Sequence, residues 1–215
     1  MIPMALTLYF LRHGETTHSR TGGFCGALDP DLTPIGLEMA ESFANTYQHL
    51  DWTAAFVSPM KRTIATAKPL LNAIGLEMQL RDGLREIEYG EWEDKTAEAV
   101  KQTHTQDYLH WLAEPAWNPP TGGETAVQVA SRASLVVAEI QSQYPSGQIL
   151  VVSHKATIRI ILCNLLGIDL GRYRDRIAMP VASLSVVKFD EHGPLLERLG
   201  DRSHLPVHIR NLPGT

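Results

Sequence analysis

Apolar residues follow two rhythms along this chain. Short unbroken runs at residues 6–11, 54–57 and 149–152 read as strands buried on both faces. Between them, apolar positions recur at helical spacing. Thr33 and Pro34 suit an N-cap and a first helical position, starting a helix that runs to about residue 49. Ser58-Pro59 is a second cap-plus-proline start, for a helix with Ile64, Ala67, Leu70 and Leu71 on its buried side. Residues 123–144 hold a long amphipathic helix around Val127, Ala130, Leu135 and Ala138, and residues 156–166 hold another helix. Residues 96–112 are helical in period but polar, as in a surface lid. A short strand is expected at 76–80. A further strand at 183–189 alternates as an edge or half-buried strand would, and 195–199 pairs with it through the turn His192-Gly193-Pro194. Strands alternating with helices predict an α/β fold: a three-layer α/β/α sandwich with a mostly parallel central sheet.

Bulk composition narrows the class. At 44% hydrophobic and 20% charged residues, the chain fits one globular domain over residues 1–215, with a helical lid at about 92–121. Residues 119–123, Pro-Pro-Thr-Gly-Gly, read as a loop inside that domain rather than a linker. A formal net charge of -5 argues against nucleic-acid or membrane-surface partners, which call for a basic stripe. Residues 1–5 carry no charged leader region, and no run approaches a membrane span. Cys25 and Cys163 lack metal-ligand spacing and read as free thiols, so a cytoplasmic location is expected. A homodimer remains open on sequence grounds.

The chemistry gathers where strands end. Arg12-His13-Gly14-Glu15-Thr16 follows the first apolar run directly, and ligands of open α/β sheets bind beyond strand C-termini. A guanidinium beside the imidazole favours a neutral, nucleophilic ring and can grip a phosphoryl group with paired hydrogen bonds. Arg62 falls on the first turn of the helix after 54–57, where an anion also meets the helix dipole. Ser153-His154 ends the run 149–152 just as Arg12-His13 ends the first. The segment 85–92 places Glu86 and Glu88 beside Gly90, a site for an acid/base. There is no Walker-type loop, magnesium-binding aspartate cluster or HExxH motif, so no metal or other cofactor is called for.

This combination resembles the histidine phosphatase superfamily, also called phosphoglycerate-mutase-like. The resemblance rests on RHGET, SPMKRTIATA, REIEYGEWE, PPTGGET and VVSHKATIR, and runs from Leu8 to about Arg159. It implies the phosphoglycerate-mutase-like fold, with His13 as nucleophile, Arg12, Arg62 and His154 as the phosphate pocket, and Glu86 rather than Glu88 as proton donor. Gly26, next to Cys25, falls where a backbone amide meets the phosphoryl group. Two positions depart from the family pattern. Ser19 stands near where an asparagine is common, and keeps one hydrogen bond to offer. Lys155-Ala156 stand where two small residues are usual. Lys155 is read as pointing to solvent, in preference to adding charge beside the substrate. Glu86 must start protonated, an environment that Tyr89 and Trp92 could supply by partial burial.

The resemblance covers both phosphatases and mutases. Residues 87–121 carry seven acids and two lysines, no arginine, and three of the four tryptophans. An acidic, aromatic lid disfavours a doubly phosphorylated intermediate and suits a small monophosphate, with an amine or an apolar part. The expected function is therefore a metal-independent phosphomonoesterase acting through a phosphohistidine on a small phosphate ester of the phosphoserine, sugar phosphate or ribazole phosphate type. The alternatives are a phosphoglycerate mutase and, in another class, a catalytically weak phosphate-binding or regulatory module. His104 and His110 are read as surface residues and residues 171–176 as a solvated basic loop, while Asp201 to Leu205 resembles a tail seen in some of the family's metabolite phosphatases, with a simple turn as the alternative.

Overall fold

The structure is a computed structural model that describes residues 5–212; residues 1–4, part of the stretch read above for a leader, lie outside it, as do 213–215. In chain order the elements are β1 (Leu6–Arg12), α1 (Thr17–Thr21), α2 (Pro34–Tyr47), β2 (Trp52–Val57), α3 (Lys61–Ile74), β3 (Met78–Leu80), α4 (Ala97–Thr103), α5 (Thr105–Ala113), α6 (Ala126–Gln143), β4 (Gly147–Ser153), α7 (Lys155–Leu166), α8 (Tyr173–Arg176), β5 (Leu184–Asp190), β6 (Gly193–Asp201) and α9 (Val207–Arg210). The sheet order is β3-β2-β4-β1-β5-β6. The first four strands in that order run parallel, and β5 and β6 are antiparallel to their neighbours.

Period-two alternation within the strands builds both cores. Leu6, Leu8 and Phe10 of β1, with Ile149 and Val151 of β4, pack under α6 and α7. Leu11, Leu150 and Val152 face the other way, onto Phe43 and Ala44 of α2 and Ala67, Leu70 and Leu71 of α3. The expected three-layer α/β/α sandwich is the architecture found. Because α2 and α7, which follow β1 and β4, lie on opposite faces, the chain parts beyond those two strands and leaves a crevice.

Several local expectations are corrected. The second cap-plus-proline start fails, because α3 begins at Lys61 and Ser58 does not cap it. The Asp29 carboxylate accepts the Lys61 amide instead, at 2.8 Å. The polar lid helix is two helices broken at His104. Helix α6 lies where expected and buries Ala130, but the rest of its inward face is rotated from the expected one. Val129, Ala133, Val136, Val137 and Ile140 are buried, while Leu135 is 72% exposed. The strand read as an edge or half-buried strand, β5, lies inside the sheet with its first four residues buried and the rest at least partly exposed, and β6 takes the edge.

Candidate active site

Register brings the two histidines together. Strands β1 and β4 are parallel neighbours with Arg12 opposite Ser153, and the His13 amide donates to the Ser153 carbonyl at 3.1 Å. His13 and His154 therefore leave the sheet side by side, with ring centroids 5.3 Å apart. Gly14 is required by packing rather than by a turn. A Cβ there would lie 2.5 Å from the Gly36 carbonyl at the start of α2.

Both rings are buried, and their tautomers follow from their partners. His13 Nδ1 lies 2.8 Å from the Gly14 carbonyl, which only accepts, so Nδ1 carries the proton and Nε2 keeps its lone pair. Arg62 Nε donates to His154 Nδ1 at 3.2 Å, so the proton of that ring sits on Nε2 and is donated to Ser58 Oγ at 2.8 Å. Both pKa values lie well below the ordinary 6.5. Burial is the first cause, and Arg62 contributes more than Arg12 at His13. The neutral ring expected from the Arg12 neighbour is thus mainly a product of desolvation.

The two arginines are held differently. Arg62 is 1% exposed and spends its donors on the Leu28 carbonyl at 2.6 Å, the Gly26 carbonyl at 3.2 Å and His154. The Arg62 Nη1 also faces the Asp29 carboxylate at 3.7 Å, and Nη2 keeps one N–H for a ligand. Arg12 donates from Nη1 to the Met179 carbonyl at 2.6 Å, while its buried Nε has no hydrogen-bond partner. Burial pulls the Arg12 pKa down to about 9, which leaves it charged at neutral pH. Gly26 adopts φ +51°, a left-handed conformation that suits glycine.

Glu86 is buried, and its carboxylate accepts the Ala156 and Thr157 amides at 3.3 and 3.2 Å, and its neighbour Ile87 at 3.0 Å. These donors open α7, so the positive end of that helix faces the acid. Trp92, expected over Glu86, is committed to a separate cluster with Val100 and Trp111. Glu88 is exposed.

Arg12, His13, Ser19, Cys25, Gly26, Arg62, Glu86 and Lys155 all line one cleft of about 300 Å³, with His154 packed against His13. Three of these residues behave differently from expectation. The Ser19 hydroxyl is engaged with Thr16, accepting its amide at 2.8 Å and donating to its carbonyl at 2.9 Å in a capping box. Burial pushes the Cys25 thiol up to about 11, and its Sγ turns to the Leu28 carbonyl. Lys155 is not turned to solvent: it lines the cleft, and burial with Arg12 and Arg159 nearby pulls it down to about 7.

Sequence reasoning left out several residues of the site. Arg159 lines the cleft one helical turn after Lys155, a spacing that could have flagged it. Tyr173 and Arg174 line it as well, so the basic segment 171–176 turns these two residues inward while Arg172, Asp175 and Arg176 face solvent. The Arg174 guanidinium stacks 3.5 Å from the Trp111 ring centroid. None of the seven lid acids lines the cleft. His204 is buried against Phe43 and Tyr47, away from the cleft, and His104 is bonded to Glu91 with 15% of its side chain exposed. Among the described residues, no cluster of three or more His, Cys, Asp or Glu could hold a metal ion. No described helix is long and apolar enough to cross a membrane.

A mostly parallel sheet that ends in two histidines and Arg12, with Arg62 on the first turn of a following helix, is the arrangement of an α/β phosphate-ester hydrolase. The family model of the histidine phosphatase superfamily, branch 1, matches residues 8–202, and the chain belongs to that family. It is 32% identical over 200 residues to phosphoserine phosphatase 1 of Hydrogenobacter thermophilus, covering 92% of this chain and 93% of that protein. It is 26% identical over 162 residues to the adenosylcobalamin/alpha-ribazole phosphatase of Escherichia coli, covering 75% and 80%. The solved structure of Bacillus stearothermophilus YhfR superposes with a TM-score of 0.87 at 25% identity, over 94% of this chain and 100% of that one.

Proposed function

We propose that this protein hydrolyses a small phosphorylated metabolite through a phosphohistidine on His13, without a metal ion. The observation that carries the reading is the pair of neutral, buried imidazoles at adjacent strand ends, flanked by Arg12 and Arg62. The ester phosphate binds between the two guanidiniums and His154. His154 takes a proton from solvent on Nδ1 as the dianion arrives, and this Nδ1–H and the Arg62 Nε–H, which Nδ1 accepted before, both turn to phosphate oxygens. His13 Nε2 attacks phosphorus in line, while the Gly14 carbonyl holds Nδ1–H and so fixes the ring. The P–O bond to the alcohol breaks and Glu86 gives its proton to the leaving oxygen. The amides of Ala156 and Thr157 hold the carboxyl group in place. Glu86 then takes a proton from water, whose oxygen attacks the phosphohistidine and frees inorganic phosphate. Guanidinium and imidazolium groups stabilise the charge that a metal would otherwise neutralise.

The phosphoserine and ribazole phosphatases among the relatives point to substrates of that size. We further propose a single domain with residues 92–121 as its lid, from which Tyr108 and Trp111 reach the cleft, acting in the cytoplasm. The test is turnover of nitrophenyl phosphate in excess chelator, with trapping of acid-labile phosphohistidine. Wild type should turn over and label, and His13→Ala should do neither. Label on another residue, or dependence on added magnesium or zinc, would overturn the mechanism. Absence of turnover would favour a phosphate-binding module, and conversion of 3-phosphoglycerate to its isomer without phosphate release would favour a mutase.

A further inference from the structure

The cleft holds more positive charge than one phosphate ester needs. Arg12 and Arg62 suffice for the phosphoryl group. Arg159 on α7 and Arg174 on α8 add two guanidiniums, Lys155 adds an amine pulled down to about 7 that an anionic ligand would hold protonated, and Glu86 is the one carboxylate among the described lining residues. Arg159 is partly buried, and its Nε is a buried donor without a hydrogen-bond partner. Arg174 is fixed in place by its stack on Trp111. Burial depresses both Lys155 and Arg159, and Arg12 and Arg159 depress Lys155 further. The acids of residues 87–121, which suggested a substrate amine, are directed elsewhere. Glu93 accepts the Ala27 amide, Asp107 takes the Thr121 hydroxyl, and Glu88, Glu91, Asp94 and Glu98 are exposed.

Resting on the phosphatase reading above, we propose that Lys155 and Arg159, with Arg174, form a subsite for a carboxylate on the substrate. The preferred substrate is then a phosphorylated small carboxylic acid. A substrate ammonium gains nothing in this cleft, because no described lining group besides Glu86 is anionic. Lys155 occupies the first position of α7, and Arg159 follows it by one turn on the same face, so the pair forms a two-point clamp. The cleft of about 300 Å³, walled by Phe24, Tyr108 and Trp111, limits the acid to a few carbons.

Matched substrates isolate the carboxylate. 3-Phosphoglycerate and glycerol 3-phosphate differ only in carboxylate against hydroxymethyl, and phosphoserine and phosphoethanolamine only in the carboxylate. Charged hydrogen bonds of this kind are worth roughly a 10- to 100-fold preference in kcat/KM, which should be seen in both pairs. Lys155→Met and Arg159→Met should each lose most of that preference through KM, and Lys155→Arg should retain it. Calorimetric binding of 3-phosphoglycerate and glycerol 3-phosphate to His13→Ala gives the same comparison without turnover, so the subsite is judged even if the phosphatase reading fails. Equal use and equal binding of the matched pairs would overturn the subsite, as would full preference in both methionine variants. A stronger preference for 1,3-propanediol bisphosphate, which has no carboxylate, over 3-phosphoglycerate, lost in the same variants, would replace the carboxylate by a second phosphate.

Discussion

His204 should make the fold acid-sensitive by a calculable amount. The ring is 8% exposed and packed edge-on against Phe43 and Tyr47, at 5.4 and 5.8 Å between centroids. Burial is the main cause that pulls its pKa from 6.5 down to about 4, against partial support from Asp201. Between those values the unfolded chain binds a proton that the folded chain refuses, so stability falls as pH falls through this window. Above pH 6.5 the effect vanishes, and below about 4 it levels off. At roughly 1.4 kcal/mol per pH unit, the loss between pH 7 and 5 is about 2 kcal/mol. That corresponds to about 4–8 °C in Tm for a chain of this size. His204→Phe keeps an aromatic ring in the site and removes the titration. Any cost of the slightly larger ring is independent of pH, so only the change of the difference with pH is read. Urea unfolding of both proteins from pH 8 to 4 gives the curve. The gap in stability between variant and wild type should widen in the variant's favour by about 2 kcal/mol from pH 7 to 5. A gap that stays constant over that range would refute the reasoning. His13 and His154 add their own acid dependence, but equally in both proteins.

Two further substitutions probe the site. Glu86→Gln should lower kcat about 10²–10⁴-fold on an alkyl phosphate and far less on nitrophenyl phosphate, whose leaving group hardly needs a proton. Glu88→Gln, at an exposed position, should change neither rate, and the reverse pattern would exchange the two roles. Ser58→Ala strands the buried His154 Nε2–H and should cost about 1–3 kcal/mol in urea unfolding, together with a fall in kcat. Unchanged stability and rate would mean that Ser58 does not hold the ring.

What the sequence determined by itself is what local pattern encodes. Unbroken apolar runs marked β1, β2 and β4, because strands covered on both faces must be apolar throughout. Thr33-Pro34 marked the start of α2, because a side-chain cap and a proline's fixed φ act within one turn. His13, Arg12, Arg62, Glu86 and His154 were legible because each sits at a strand end, a helix start or a glycine turn, in a recognisable string. Local pattern misled where burial depends on what lies across the fold. Ser58 looked like a cap, yet its hydroxyl goes to His154, 96 residues away, while Asp29 caps the helix from another loop. The inward face of α6 depends on how the helix sits on the sheet, which its own period left ambiguous between neighbouring faces. The charge of the cleft was misjudged for the same reason. Acid and base counts along residues 87–121 describe a segment, but a substrate meets only the side chains that the fold turns inward. There, α7 and α8 supply Lys155, Arg159 and Arg174, and the acids of the lid segment bond elsewhere or face water. Electrostatics acts over ångströms of space, and only the tertiary structure decides which charges share that space.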